Sequence, residues 1–144
     1  MTPIQHDAIG ICPAILLPDP MQADDEAFER VVHAAAGAGF TSFSLWTFWA
    51  TRYGTERTRA LFDSVGMGVG AVEAVTQWVN GPSIDLDAEI TATAEVATIL
   101  GADTVLACTL EPSLLSPDAA AAGFRSLCEQ AATRDLRVCI EFFP

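Results

Sequence analysis

Five side chains have the type and the placement to do chemistry together, because each sits in or just after a short apolar run. Glu141 interrupts the otherwise apolar "VCIEFF", Glu73 interrupts "GAVEAV", Trp46 closes "TSFSLW", Trp78 follows "AVTQ", and Thr109 follows "TVLAC". A carboxylate in an apolar strand is costly unless it is paired, bound to a metal or used as an acid or base. Glu141 has a second reading, a solvent-facing charge on an open sheet edge, where it discourages unwanted strand pairing. Glu73 also reads as a solvated or arginine-paired group. Thr47, Trp49, Gln77 and Glu111 lie at comparable places, and Glu111, just before Pro112, reads as an exposed loop residue. The three tryptophans read either as an apolar wall over a substrate or as core. The histidines carry less: His33 falls on a helix surface and His6 in the N-terminal arm.

An alternation of strands and helices must position these groups. Ile9 to Ala14 is a short apolar run containing Gly10 and Pro13, which reads as a buried strand. In "ADDEAFERVVHAAAGAGF", Phe28, Val31, Val32 and Ala35 recur at helical spacing behind an acidic first turn, with Gly37 and Gly39 as a stop. Then come strand "TSFSLW", helix "TERTRALFDSVG", strand "MGVGAVEAV", helix "DLDAEITATAEVATILG", strand "DTVLACTL", helix "SPDAAAAGFRSLCEQAAT" and strand "RVCIEFF". Ser116 and Pro117 suit the N-cap and first position of the last helix. Strands start near residues 9, 41, 67, 103 and 137, about 30 residues apart, the length of one βαβ unit. Apolar strands alternating with one-faced helices predict a parallel sheet covered by helices, with five strands and four helices in one α/β domain over 1–144. In such folds ligands gather at the C-terminal ends of the strands, where the five residues above lie.

Composition narrows the function. The net charge is -12 and all seven basic residues are arginine, which argues against nucleic acid as a partner. The N-terminus has no basic leader segment, and Pro13 and Pro18 break its apolar run, so a cytoplasmic protein without a membrane span is expected. Cys12, Cys108, Cys128 and Cys139 are spaced singly and read as reduced, buried small hydrophobes. With 51% hydrophobic residues against the usual composition of soluble domains, the surface is expected to be apolar in part or covered by a partner. No phosphate-binding glycine loop, nucleophile elbow or H-E-x-x-H zinc motif occurs.

The segments "AAGAGFTSFSLW", "GVGAVEAVTQWV", "AEVATILGADTVLA" and above all "RVCIEFFP" resemble the sugar phosphate isomerase/epimerase family, the xylose-isomerase-like TIM barrels. The resemblance runs from the first strand to the last residue. It implies the (βα)4β half of a barrel and a divalent cation (Mn, Mg, Co or Zn) held at the strand tops, with Glu141 matching the glutamate that ends the fifth strand and ligates the metal. It also implies proton transfer by a carboxylate on a hydroxy-carbonyl, carbohydrate-like substrate. Glu141 would serve as ligand and base, while Trp46, Glu73, Trp78 and Thr109 would line the substrate. A whole barrel has eight units in typically about 250 residues, so the chain reads as truncated and not competent as an isomerase by itself. The expectation is a homo-oligomer or a pairing with a complementary barrel half. The other reading is a non-catalytic binding or assembly domain, as a flavodoxin-like open sheet or a half-barrel. Strand order 1-2-3-4-5 supports the barrel and 2-1-3-4-5 the open sheet.

Overall fold

The computed structural model describes residues 10–109 and 116–141. Five parallel strands form one sheet in the order 1-2-3-4-5: β1 (Gly10–Ile11), β2 (Ser42–Trp46), β3 (Gly68–Val75), β4 (Thr104–Ala107) and β5 (Arg137–Ile140). Each strand pairs with the strand before it in the chain, all in parallel. This is half of a barrel wall, and it excludes the flavodoxin-like alternative, whose first strand lies between the second and third. Glu111 and His6 lie outside the described residues.

Helices α1 (Asp25–Gly37), α3 (Thr55–Val65), α4 (Ile84–Leu100) and α5 (Pro117–Ala132) fall where the apolar periodicity places them. The α1 face of Phe28, Val31, Val32 and Ala35 is buried, and the Asp24 carboxylate accepts from Ala27 N at 2.8 Å to cap the helix. Ser83 caps α4 in the same way through Leu86 N. Ser116 takes the N-cap position of α5, with Pro117 beginning the helix, but its side chain makes no capping bond; its carbonyl accepts from Ala120 N instead. Gly66 and Gly101 close α3 and α4 in the left-handed conformation, which glycine adopts without side-chain strain.

Two expectations need correction. A fifth helix, α2 (Thr47–Tyr53), fills what the sequence left as a loop, because seven residues are too few to display a clear helical period. Gly54, with φ +96°, separates it from α3. The first strand is also shorter: a 3-10 turn over Pro13–Leu16 replaces its second half, since proline fixes φ and removes a ladder donor.

The core lies between the convex side of the sheet and the helices. Phe43 and Leu45 of β2, Val72 and Val75 of β3, and Val105 and Ala107 of β4 are all buried there. Phe43 stacks on Phe62 of α3 at 5.1 Å, and Phe28 of α1 meets Trp49 of α2 edge-on at 4.7 Å. Arg57 of α3 spans Asp25 and Glu29 of α1 at 2.7 and 2.8 Å and lies 3.8 Å over the Tyr53 ring. That contact ties α1, α2 and α3 at the surface.

Candidate active site

The site follows from the two-residue period of the strands. Leu45, Val72, Val105 and Val138 align across the sheet and turn to the helices, so the next row, Trp46, Glu73, Leu106 and Cys139, belongs to the concave side. Cys12 follows Ile11 as Ser44 follows Phe43, its register partner, which brings both to the concave side as well. Glu141 is one step past Ile140 and so returns to the concave row. Its backbone N–H donates to the Ala107 carbonyl at 2.8 Å, which docks this strand end on β4. The register slips between Glu73 and Val75, so Glu73 stays on the concave side while Val75 enters the core.

Glu73 is the buried member of this group, only 5% exposed. Ser44 and Cys12 stand beside its carboxyl and act to lower its pKa, and Oε1 is buried without a partner. Burial, then the Glu141 charge, hold its carboxyl above the ordinary carboxylate range against that pull. Burial first, followed by the Glu73 charge, pushes the Cys12 thiol up to about 11. Cys108 is pushed up to about 11 by burial and then by Glu141 and Glu73. Both cysteines therefore remain protonated at neutral pH and act as small packing groups, not as nucleophiles. Glu141 is exposed, and its field reaches Cys12, Glu73 and Cys108.

The other sequence candidates divide. Trp46 is half-buried and lies directly across from Glu73 in the ladder. Thr109 is half-buried two residues beyond β4. Trp78 is buried in the 3-10 turn Gln77–Asn80: its indole N–H donates to the Cys108 carbonyl at 2.8 Å and its ring meets Phe124 of α5 edge-on at 5.7 Å. Its ring is thus core packing that shapes the floor of the strand-top region. Trp49 is core too, on the helix side, with its indole N–H unpartnered beside a cavity of about 10 Å³, space for one water. His33 is exposed on α1.

Sequence reasoning missed three participants. Cys12 and Ser44 gain meaning only once register sets them beside Glu73. Glu89 of α4 accepts from Thr76 N at 2.9 Å, Thr76 Oγ1 at 3.0 Å and Gln77 N at 2.9 Å, which fixes the loop leaving β3. In the sequence it is one acid among several on a helix. The cysteines also need a correction: among the four, all free, Cys108 is buried and Cys139 is exposed on the concave row. Among the described residues, no group of three or more His, Cys, Asp or Glu is placed to hold a metal ion. No helix there is long and apolar enough to cross a membrane.

A five-stranded, sequentially ordered parallel wall with carboxylates at its strand tops defines the class of fold as a partial xylose-isomerase-like TIM barrel, and the solved structures agree. A xylose isomerase domain-containing protein from Salmonella typhimurium LT2 superposes with a TM-score of 0.71 at 16% identity, over 97% of this chain and 51% of that one. A sugar phosphate isomerase/epimerase from Parabacteroides distasonis gives 0.67 at 13%, over 97% and 52%. The IolI protein with a bound zinc atom gives 0.65 at 13%, over 93% and 51%. The chain spans about half the length of these three proteins. No family model and no curated protein matches it.

Proposed function

We propose that this chain forms the strand-1 to strand-5 wall of a metal-assisted isomerase or epimerase acting on a hydroxy-carbonyl, carbohydrate-like substrate. The observation that carries the reading is the pair of carboxylates, Glu73 and Glu141, on one concave face at the C-terminal ends of sequential parallel strands. That is where barrels of this type place their chemistry.

The donor chemistry suits a divalent cation, since carboxylate oxygens are the ligands that Mg²⁺, Mn²⁺ and Zn²⁺ accept. Glu141, exposed on the concave face, would contribute one ligand. One carboxylate is only part of a coordination sphere, and the other donors would come from substrate, water and the opposite wall. When bound, the cation supplies Lewis-acid polarisation of substrate oxygens. Glu141 would also stand where a proton next to the carbonyl is removed. Trp46 would give the substrate an apolar face, and Thr109 would line the same end. Trp78 would act indirectly, by holding the Cys108 carbonyl and the loop after β3.

Manganese titration followed by electron paramagnetic resonance tests this. The chain, alone or mixed with a separately expressed complementary half from a structural neighbour, is expected to bind Mn²⁺, and Glu141→Gln is expected to weaken binding at least tenfold. Absence of binding under both conditions would remove the metal-assisted reading.

A second reading, an assembly or binding half-barrel without catalysis, draws on the exposed apolar residues Ile15, Leu16, Met21 and Ile84. The same mixing experiment separates the two, because association without metal binding would favour assembly. One structural neighbour is an AP endonuclease of family 2 from Brucella melitensis. The charge of -12 argues against a phosphate backbone as partner for this chain.

A further inference from the structure

Glu89 does more than join α4 to the loop after β3. The 3-10 turn Gln77–Asn80 begins at Thr76, whose own side chain makes no capping bond, and the first N–H groups of a helical turn find no partner within it. Glu89 supplies that cap from another element: Oε2 accepts from both Thr76 N and Gln77 N at 2.9 Å, and Oε1 accepts from Thr76 Oγ1 at 3.0 Å. The capped turn carries Trp78, and a relay of bonds runs on from it. The Trp78 indole N–H donates to the Cys108 carbonyl at 2.8 Å, the Cys108 N–H donates to the Val75 carbonyl at 3.0 Å, and the Glu141 N–H donates to the Ala107 carbonyl at 2.8 Å. The ends of β3, β4 and β5 are thereby tied in sequence. The ladder slips between Glu73 and Val75, so the exit of β3 relies on bonds from outside the ladder.

We propose that Glu89 is a positioning residue for the strand-top site: by capping the Gln77–Asn80 turn it holds Trp78 on the Cys108 carbonyl, and so keeps in place the end of β4 on which Glu141 docks. Its consequence for the cation rests on the metal-assisted reading given above. Glu89 is not itself assigned to the cation, because both its oxygens are engaged by the turn. Glutamine at this position keeps the same contacts, since its carbonyl oxygen accepts the two backbone N–H bonds and its amide donates to Thr76 Oγ1. Alanine removes all three.

Manganese titration by electron paramagnetic resonance, run beside hydrogen exchange at the Trp78 indole N–H, tests this on the whole chain under the mixing condition in which the wild type binds. Glu89→Ala is expected to weaken Mn²⁺ binding about fivefold or more and to speed indole exchange about tenfold. Glu89→Gln is expected to stay within about threefold of the wild type in both. Melting curves establish that each variant is folded. Trp78→Phe, which removes the indole donor and keeps an aromatic ring, is expected to match the Mn²⁺ loss of Glu89→Ala, and it serves as the test if Glu89→Ala does not fold. A role confined to stability would leave the Mn²⁺ affinity of the folded variants unchanged, and that result would overturn the proposal. So would Glu89→Gln binding as poorly as Glu89→Ala, which would make the charge and not the geometry the cause. A wild type that takes up no Mn²⁺ is instead the failure of the metal-assisted reading. The positioning link then stands on accelerated indole exchange in Glu89→Ala and falls if that exchange equals the wild type's.

Discussion

At the scale of single residues, Glu73 combines a structural cost with a functional opportunity. Its carboxyl is raised above the ordinary range chiefly by burial, with Glu141 adding to the effect. A raised value in the folded state means that the neutral form is favoured by folding. Its contribution is therefore full below the ordinary carboxyl pKa and is lost as pH rises through the folded value. The metal-free wild type should gain melting temperature as pH falls from neutral toward that range. Glu73→Gln should lose this component and be more stable at pH 7 by about 1 kcal/mol, the scale of one unfavourably buried polar group. Thermal melts of both proteins in EDTA across that range check it, and parallel curves would contradict the assignment. Asp103 works in the opposite sense, drawn down mainly by its bond from Arg137, but both groups are exposed and the ion pair contributes little.

At the scale of elements, the approach of α5 to the turn after β3 sets the position of Trp78. A Cβ placed on Gly123 would lie 1.8 Å from the Trp78 carbonyl oxygen, a backbone atom that cannot turn aside. Gly123→Ala should therefore destabilise by about 3 kcal/mol, at the upper end of overpacking effects, and should lower the protection of the Trp78 indole N–H in hydrogen exchange. Urea unfolding with a loss under 1 kcal/mol would show that α5 shifts freely. The sequence made the four longer helices and five strands legible because their apolar periods are sustained, and the length of each unit announced a parallel sheet. It did not disclose α2, which is too short for its period to stand out, or the 3-10 turn after Ile11. The strand-end carboxylates were visible as charges in apolar runs. Their neighbours were not, because Ser44 and Cys12 look like ordinary strand residues until the β1–β2 register brings them to the same side as Glu73. Trp78 likewise stood at the right place in the chain, yet its side chain turns into the packing with Phe124.

At the scale of the whole molecule, the concave face and the two edge strands dominate. Among the described residues β1 pairs only with β2, and β5 only with β4. Next to the β1 edge, a groove of about 390 Å³ runs between the 3-10 turn and α1, lined by Leu16, Leu17, Ala27, Arg30, Val31 and Ala34. Ile15, 75% exposed, and Met21 stand in the same connection. Unpaired edges and exposed apolar side chains favour association, so sedimentation velocity at micromolar concentration should show a species larger than one chain. Ile15→Ser with Leu16→Ser should shift it toward monomer, whereas a stable wild-type monomer would argue against this. Sequential pairing has another consequence. Because every strand bonds to the one synthesised just before it, each arriving βα unit finds its docking surface already built, and ordering it closes a loop of only one unit's length. The wall can thus assemble in the direction of translation, and Glu141, docked through Ala107, is the last of the candidate groups to take its place.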